Sequence, residues 1–400
     1  MRRTAVFIAM LILSLTPLRG QVMDAAHMNV TARTYYTRFF NSLQIVDNML
    51  ERNGYPTYDV ALGFSARPED RSPYAEAFNF PTAGIGFSLA PLSTLPYKDK
   101  SHFSDFYTAY AFFESDILRT RRVSLGYMFK LGAAYSHDTY DPVENPDNRI
   151  VSSQIMAFIA AGGYLHYRLT DHLETGLEAL AWHHSNARLG LPNNGLNEYA
   201  AGAFLRYHIT EPYTGPRSRK TEKLFDRGLS WDVYAAGGGH CCAAEWEVYN
   251  KNVPAAKDRA KGVKCWPKAT VGVGAMYRYS LMGSAGVHME GFWNSNIEAL
   301  RHCDPILYGE EEAAGLDYRR WALGIAAMQE FHYGRFSADI AMGVYLYKRL
   351  GLKEDMSPFY QRVGIRYYFP SLGGMFLSTS CKAHYFSRAE YMEFGIGFRL

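Results

Sequence analysis

Residues 181–202, AWHHSNARLGLPNNGLNEYAAG, bring a base, a nucleophile and several amides into one short stretch. His183 and Ser185 are two apart, so on a β-strand they project from one face within reach of each other. A Ser hydroxyl is a weak nucleophile until a neighbouring base takes its proton, and an imidazole is the usual base for acyl transfer. Pro192, Asn193, Asn194 and Gly195 read as a turn, and a second alternating segment begins near Asn197. The resulting hairpin returns Asn197 to the side of His183.

The elements that must position this hairpin are legible from composition. The chain opens MRRTAVFIAMLILSLTPLRGQ, two arginines followed by an apolar run and a small residue at Gly20. This is expected to be a secretory signal peptide over residues 1–20, too short in its apolar core to span a bilayer. No Cys follows it, so no lipid anchor is indicated. Removing Arg2, Arg3 and Arg19 takes Lys+Arg from 42 to 39 against 39 Asp+Glu, a formally neutral mature chain that suggests no nucleic-acid partner. With 30 Tyr, 24 Phe, 6 Trp and 35 Gly and no later apolar run of helix-spanning length, the expectation is an all-β, outer-membrane, antiparallel β-barrel.

Alternation supports that class. Met392, Phe394, Ile396, Phe398 and Leu400 share one face of the terminal segment, while Tyr391, Glu393, Gly395, Gly397 and Arg399 share the other. Such a terminal strand is what barrels present to the assembly machinery. Strands are expected near 82–90, 104–115, 121–136, 150–168, 172–184, 197–209, 228–239, 268–280, 283–294, 316–331, 335–347, 357–369, 373–386 and 390–400. These make a single barrel of about fourteen strands (range 12–16) over 81–400. Residues 21–80 are left as a periplasmic arm or additional strands: Tyr36, Phe39, Phe40, Leu43 and Val46 have helical spacing, and 58–64 alternates. Short connections fall at the end where Leu400 lies and long ones at the other, which places the 185–196 loop outside the cell. The basic connection TGPRSRKTEKLFDR is long for a periplasmic turn, and the one around Ser387 is short for an outer loop.

Phase then orients the site. Leu173, Leu177, Ala179 and Ala181 lead by twos to His183 and Ser185 on the lipid face, and Asn197 is in phase with Tyr199, Ala201 and Leu205. Glu174, Glu178, Trp182, His184, Glu198, Arg206 and His208 face the lumen. Lumenal Glu174, Glu178, Arg206, Glu290, Asp339, Arg362, Arg366 and Lys382 are expected to form an internal charge network. If His183 opposes Asn197, Glu174 must lie beside Arg206.

His183-x-Ser185-Asn186 followed by Pro192-Asn193-x-Gly195 resembles the PagL-type lipid A 3-O-deacylases, the acyloxyacyl hydrolase-like outer-membrane proteins. FPTAGIGF near 80–87, NPDN at 145–148, QRVGIRYYF and the terminal KAHYFSRAEYMEFGIGFRL add to the likeness, which covers most of the mature chain. Short members of that family have eight strands. The resemblance implies an esterase acting on an acyl chain of lipid A, with Ser185 as nucleophile, His183 as base, position 197 orienting the His and Asn186 in the oxyanion hole. Position 197 is Asn where the family has Glu, and Glu198 points to the lumen. The alternatives are a non-catalytic barrel, pore or structural, and an esterase acting on phospholipid. The partners implied are lipopolysaccharide and the assembly machinery, and no cofactor is called for. Of the five cysteines, Cys265 is placed to bond Cys241 or Cys242 in outer loops, and Cys381 lies on a lipid face as a free thiol. Adjacent His240, Cys241 and Cys242 lack the usual metal-ligand spacing, so no metal is assigned.

Overall fold

Inward and outward residues alternate along sixteen antiparallel strands in a computed structural model that describes residues 27–40, 43–215, 225–354 and 357–400. The expected signal peptide lies outside the described residues. The strands are β1 (Met28–Phe39), β2 (Tyr55–Ser65), β3 (Thr82–Ala90), β4 (Phe106–Arg119), β5 (Val123–Tyr135), β6 (Ile155–Arg168), β7 (Leu173–Ser185) and β8 (Leu196–His208). They continue as β9 (Gly228–Cys241), β10 (Cys265–Arg278), β11 (Gly283–Asn294), β12 (Trp321–Tyr333), β13 (Phe336–Tyr347), β14 (Phe359–Phe369), β15 (Met375–His384) and β16 (Arg388–Arg399). Residues 21–80 thus contribute β1 and β2, with Tyr36 and Phe39 on β1 rather than on a helix; α1 (Leu43–Met49) follows.

The strands do not form one barrel of about fourteen over 81–400. They form two closed barrels of eight, β1–β8 and β9–β16. Fourteen segments fall where alternation placed them, but closure is a long-range choice that alternation does not encode. Strand β1 pairs with β8 from Asn29↔His208 to Phe39↔Glu198, which closes the first barrel just before the basic connection. Strand β16 pairs with β9 from Met392↔Gly239 to Arg399↔Asp232 and closes the second. Each closure removes two edges whose backbone groups would otherwise lack partners. The long connection after β8 is a link between barrels, which explains its poor fit as a turn. The chain divides into two compact units, residues up to 186 with 193–221, and 187–192 with 222–400.

Within the first barrel, Asn29, Thr31, Arg33, Tyr35, Thr37 and Phe39 of β1 point inward and are buried, while Val30 and Tyr36 point outward and are exposed. The outer wall is predominantly apolar: Val60, Leu62, Ile85, Phe87, Leu125, Phe129, Leu165, Leu177 and Leu205 are all exposed. The lumen is filled. Arg33 contacts Asp59, Glu114 and Glu178 at 3.1, 2.9 and 3.0 Å, and Lys130 contacts Asp59 at 3.1 Å. Tyr35, Tyr110, Phe112, Met128, Phe158 and Trp182 pack around these charges. One end is capped by α1 and its neighbouring loops through Phe39, Val46, Met49, Leu92, Phe103, Ile150, Val151 and Leu196. Burying side chains of this size stabilises by about 1.5–3 kcal/mol each. Leu196 therefore pins the start of β8, the residue next to Asn197.

In the second barrel the lumen carries its own network: Arg366 contacts Asp232 at 2.7 Å and Asp339 at 3.2 Å, and Arg399 contacts Asp232 at 2.7 Å and Glu330 at 2.8 Å. Arg362 pairs with Glu290 and Glu393, and Lys268 and Lys382 share Glu390. The expected charge network exists, divided between two lumens.

Candidate active site

The β7–β8 ladder sets the geometry. Its register places His183 opposite Asn197 and, as an unbroken antiparallel ladder then requires, Glu174 opposite Arg206. Glu174 and Arg206 are both buried on the inward face, 4.0 Å apart, with His208 Nε2 2.9 Å from Glu174. That parity puts His183, Ser185 and Asn197 on the outer wall, in line with Leu177 and Tyr199, which are 62% and 58% exposed.

His183 Nδ1 lies 2.6 Å from the Asn197 side-chain oxygen. An amide oxygen only accepts, so this contact places the proton on Nδ1 and leaves the lone pair on Nε2, the tautomer a base needs. Ser185 is in phase with His183 yet only 6% exposed, because the loop folds over it. Asn193 Nδ2 donates to Ser185 Oγ at 3.0 Å. Gly195 adopts φ +65°, and a Cβ there would come within 3.0 Å of the His183 ring, so glycine lets the loop close on the imidazole. Asn186 donates from Nδ2 to Ser152 Oγ at 2.9 Å, tying the residue after Ser185 to the loop before β6. Behind the wall, His184 Nδ1 meets Glu198 at 2.8 Å inside the lumen, so Glu198 serves a different histidine.

The structure thus brings His183, Asn197 and Ser185 to one patch with Asn186 at its border. Sequence reasoning missed Asn193 as a contact of Ser185 and Ser152 as the anchor of Asn186. The first had a signal, since Asn193 sits in the Pro192-Asn193-x-Gly195 turn; the second comes from a loop distant in sequence. Among the described residues no group of three or more His, Cys, Asp or Glu is arranged to hold a metal ion.

The equivalent hairpin of the second barrel, β15–β16, is built differently. His384 Nε2 meets Glu390 at 2.9 Å, and Nδ1 meets the Phe359 carbonyl at 2.9 Å. Both lie toward the lumen. The five cysteines are thiols, with Cys381 on the outer wall opposite Met392.

Residues 229–400 match the family model described as acyloxyacyl hydrolase, C-terminal domain. The match spans β9 to β16 and leaves out the barrel that carries His183 and Ser185. Among solved structures, the chain is similar to the neisserial surface protein A, at 12% identity and TM-score 0.29 over 46% of this chain and 97% of that one. It is also similar to the outer membrane enzyme PagL, at 14% identity and TM-score 0.27 over 46% and 99%. The N-terminal β-barrel domain of Pseudomonas aeruginosa OprF gives 11% identity and TM-score 0.25 over 45% and 97%. A comparison with curated proteins found no match.

Proposed function

We propose that this chain is an outer-membrane esterase that removes an ester-linked acyl chain from lipid A, using His183 and Ser185 on the wall of the first barrel. The carrying observation is the 2.6 Å contact between His183 Nδ1 and the Asn197 oxygen, which leaves Nε2 without a proton on the same strand face as Ser185, two residues on. In the proposed reaction Nε2 takes the Ser185 proton as Oγ attacks the ester carbonyl. The Asn193 amide, 3.0 Å from Oγ, and the Asn186 amide supply donors for the tetrahedral oxyanion. His183 then returns the proton to the leaving sugar hydroxyl. Water, activated by the same imidazole, splits the acyl-enzyme into free serine and a fatty acid.

Two further observations support a substrate approaching from the bilayer. The outer wall below the site is predominantly apolar, and the lumen behind it is packed with side chains, which favours wall chemistry over conduction. The match of residues 229–400 to an acyloxyacyl hydrolase C-terminal domain supports hydrolase chemistry for the chain. Mass spectrometry of lipid A from cells with and without the protein tests the reading: loss of one hydroxyacyl group, abolished by Ser185→Ala in an inserted barrel, is the expected result. Unchanged lipid A would make this a non-catalytic barrel, and accumulation of lysophospholipid would make it a phospholipid esterase.

A further inference from the structure

Sequence spacing leaves Cys265 free to join either Cys241 or Cys242, and the strand register separates the two. Cys241 is the direct partner of Cys265 across the β9–β10 ladder. Directly opposed residues in an antiparallel pair hold their Cα atoms about 4.5–5.5 Å apart, inside the roughly 4.4–6.8 Å range a disulfide spans. Their side chains also share a face. Asp232, Tyr234 and His240 mark the lumenal phase of β9, so Cys241 points outward, and Cys265 shares the outward phase of Val271 and Val273 on β10. Cys241 Sγ also donates to the Val263 carbonyl at 3.7 Å, two residues before Cys265. Cys242 lies beyond the ladder at the start of α2 (Ala243–Trp246) and is buried in a cluster with Ala244, Leu300 and Cys303.

We infer that Cys241 and Cys265 are a disulfide site that closes the base of the 242–264 loop of the second barrel. The two sulfurs differ in access: Cys241 is buried, whereas Cys265 is partly exposed. Cys265 is therefore the entry point. Its thiolate attacks an external disulfide, either a protein thiol oxidase or a low-molecular-weight disulfide, and one thiol of that oxidant leaves. Cys241 then attacks the Cys265 sulfur of the mixed disulfide and releases the second thiol. The protein loses two hydrogens and two electrons, and the oxidant gains them. An exported chain meets such oxidants, and a 23-residue loop anchored by one covalent bond at its base keeps its helical turn over the barrel end.

The test uses the full chain purified from outer membranes, with free thiols alkylated and the protein digested by trypsin without reduction. Cys241 and Cys242 fall together in the peptide 228–251, and Cys265 falls in Cys-Trp-Pro-Lys, 265–268. The expected product is these two peptides joined at two hydrogens below their summed mass, lost in Cys241→Ser and retained in Cys242→Ser. Heat-modifiable migration on gels verifies that each variant has folded, and Cys265→Ser provides a second variant should Cys241→Ser fail that check. Alkylation of both Cys241 and Cys265 in wild type, a link surviving in Cys241→Ser, or a link from Cys265 to Cys303 would each overturn the assignment.

Discussion

The β7–β8 hairpin of the first barrel and the β15–β16 hairpin of the second contain similar residue types and present them to opposite environments. In the first, a ten-residue loop between Ser185 and Leu196 leaves His183, Ser185 and Asn197 in regular alternation on the outer wall. In the second, three residues separate His384 from Arg388, and the register slips between Lys382 and Ala383. Tyr391 faces Lys382 while Ala389 faces Ala383, so Glu390 is the extra residue of a bulge, and Glu390 and Tyr391 are both buried. His384 is then held between two acceptors, the Glu390 carboxylate and the Phe359 carbonyl, and neither ring nitrogen is available to Ser387. Residue types alone do not make a site. One bulge and seven loop residues separate a His in line with a Ser and an Asn on the outer wall from a His and a Glu turned toward the lumen.

The comparison breaks first at the nucleophile. Ser185→Ala or His183→Ala is expected to lower lipid A deacylation by roughly 10⁴-fold or more, since triad members act as a unit. A single-turnover assay on purified lipid A in detergent measures it, and activity at wild-type level in Ser185→Ala would remove the first barrel's distinction. The next effect concerns the lumens. Arg33→Met takes the cation from Glu178, while Asp59 keeps Lys130 and Glu114 keeps Arg206, and is expected to cost about 3–5 kcal/mol in urea unfolding. Arg366→Met should cost about as much, because Asp339 loses its cation while Asp232 keeps Arg399. Clearly unequal midpoints for the two variants would mean that the two networks differ in redundancy.

Asn197 sharpens the comparison at smaller scale. Asn197→Ala removes the acceptor that fixes the His183 tautomer, and the deacylation rate should fall roughly 10- to 100-fold, a barrier change of about 1.4–2.7 kcal/mol. Asn197→Glu should match or exceed wild type, because a carboxylate also offsets the imidazolium charge. If the whole Asn197 series proves flat while Ser185→Ala is inactive, the orienting group lies elsewhere on the wall. Smallest of all, Ser387→Ala should leave deacylation unchanged and stability within about 0.5 kcal/mol. A measurable loss of activity there would place chemistry in the second barrel.

What the sequence determined by itself was local. A period of two is written in each strand by its own side chains, so fourteen segments, their inward and outward faces and the placement of His183, Ser185 and Asn197 on one wall could all be read from residue types. The pairing His183↔Asn197, with Glu174↔Arg206 following from it, was legible because a single hairpin links them and a turn fixes its register. Only the tertiary structure decided where the barrels close. Strand β1 meets β8 across more than 150 residues, and nothing in either strand's alternation distinguishes that partner from another. Tertiary structure likewise decided that Ser152 anchors Asn186 and that Asn193 reaches Ser185, because contacts between separate loops depend on the path of the backbone. The choice of Cys241 over Cys242 as the neighbour of Cys265 has the same origin: adjacent residues on a strand face opposite ways, and only the register says which one looks across.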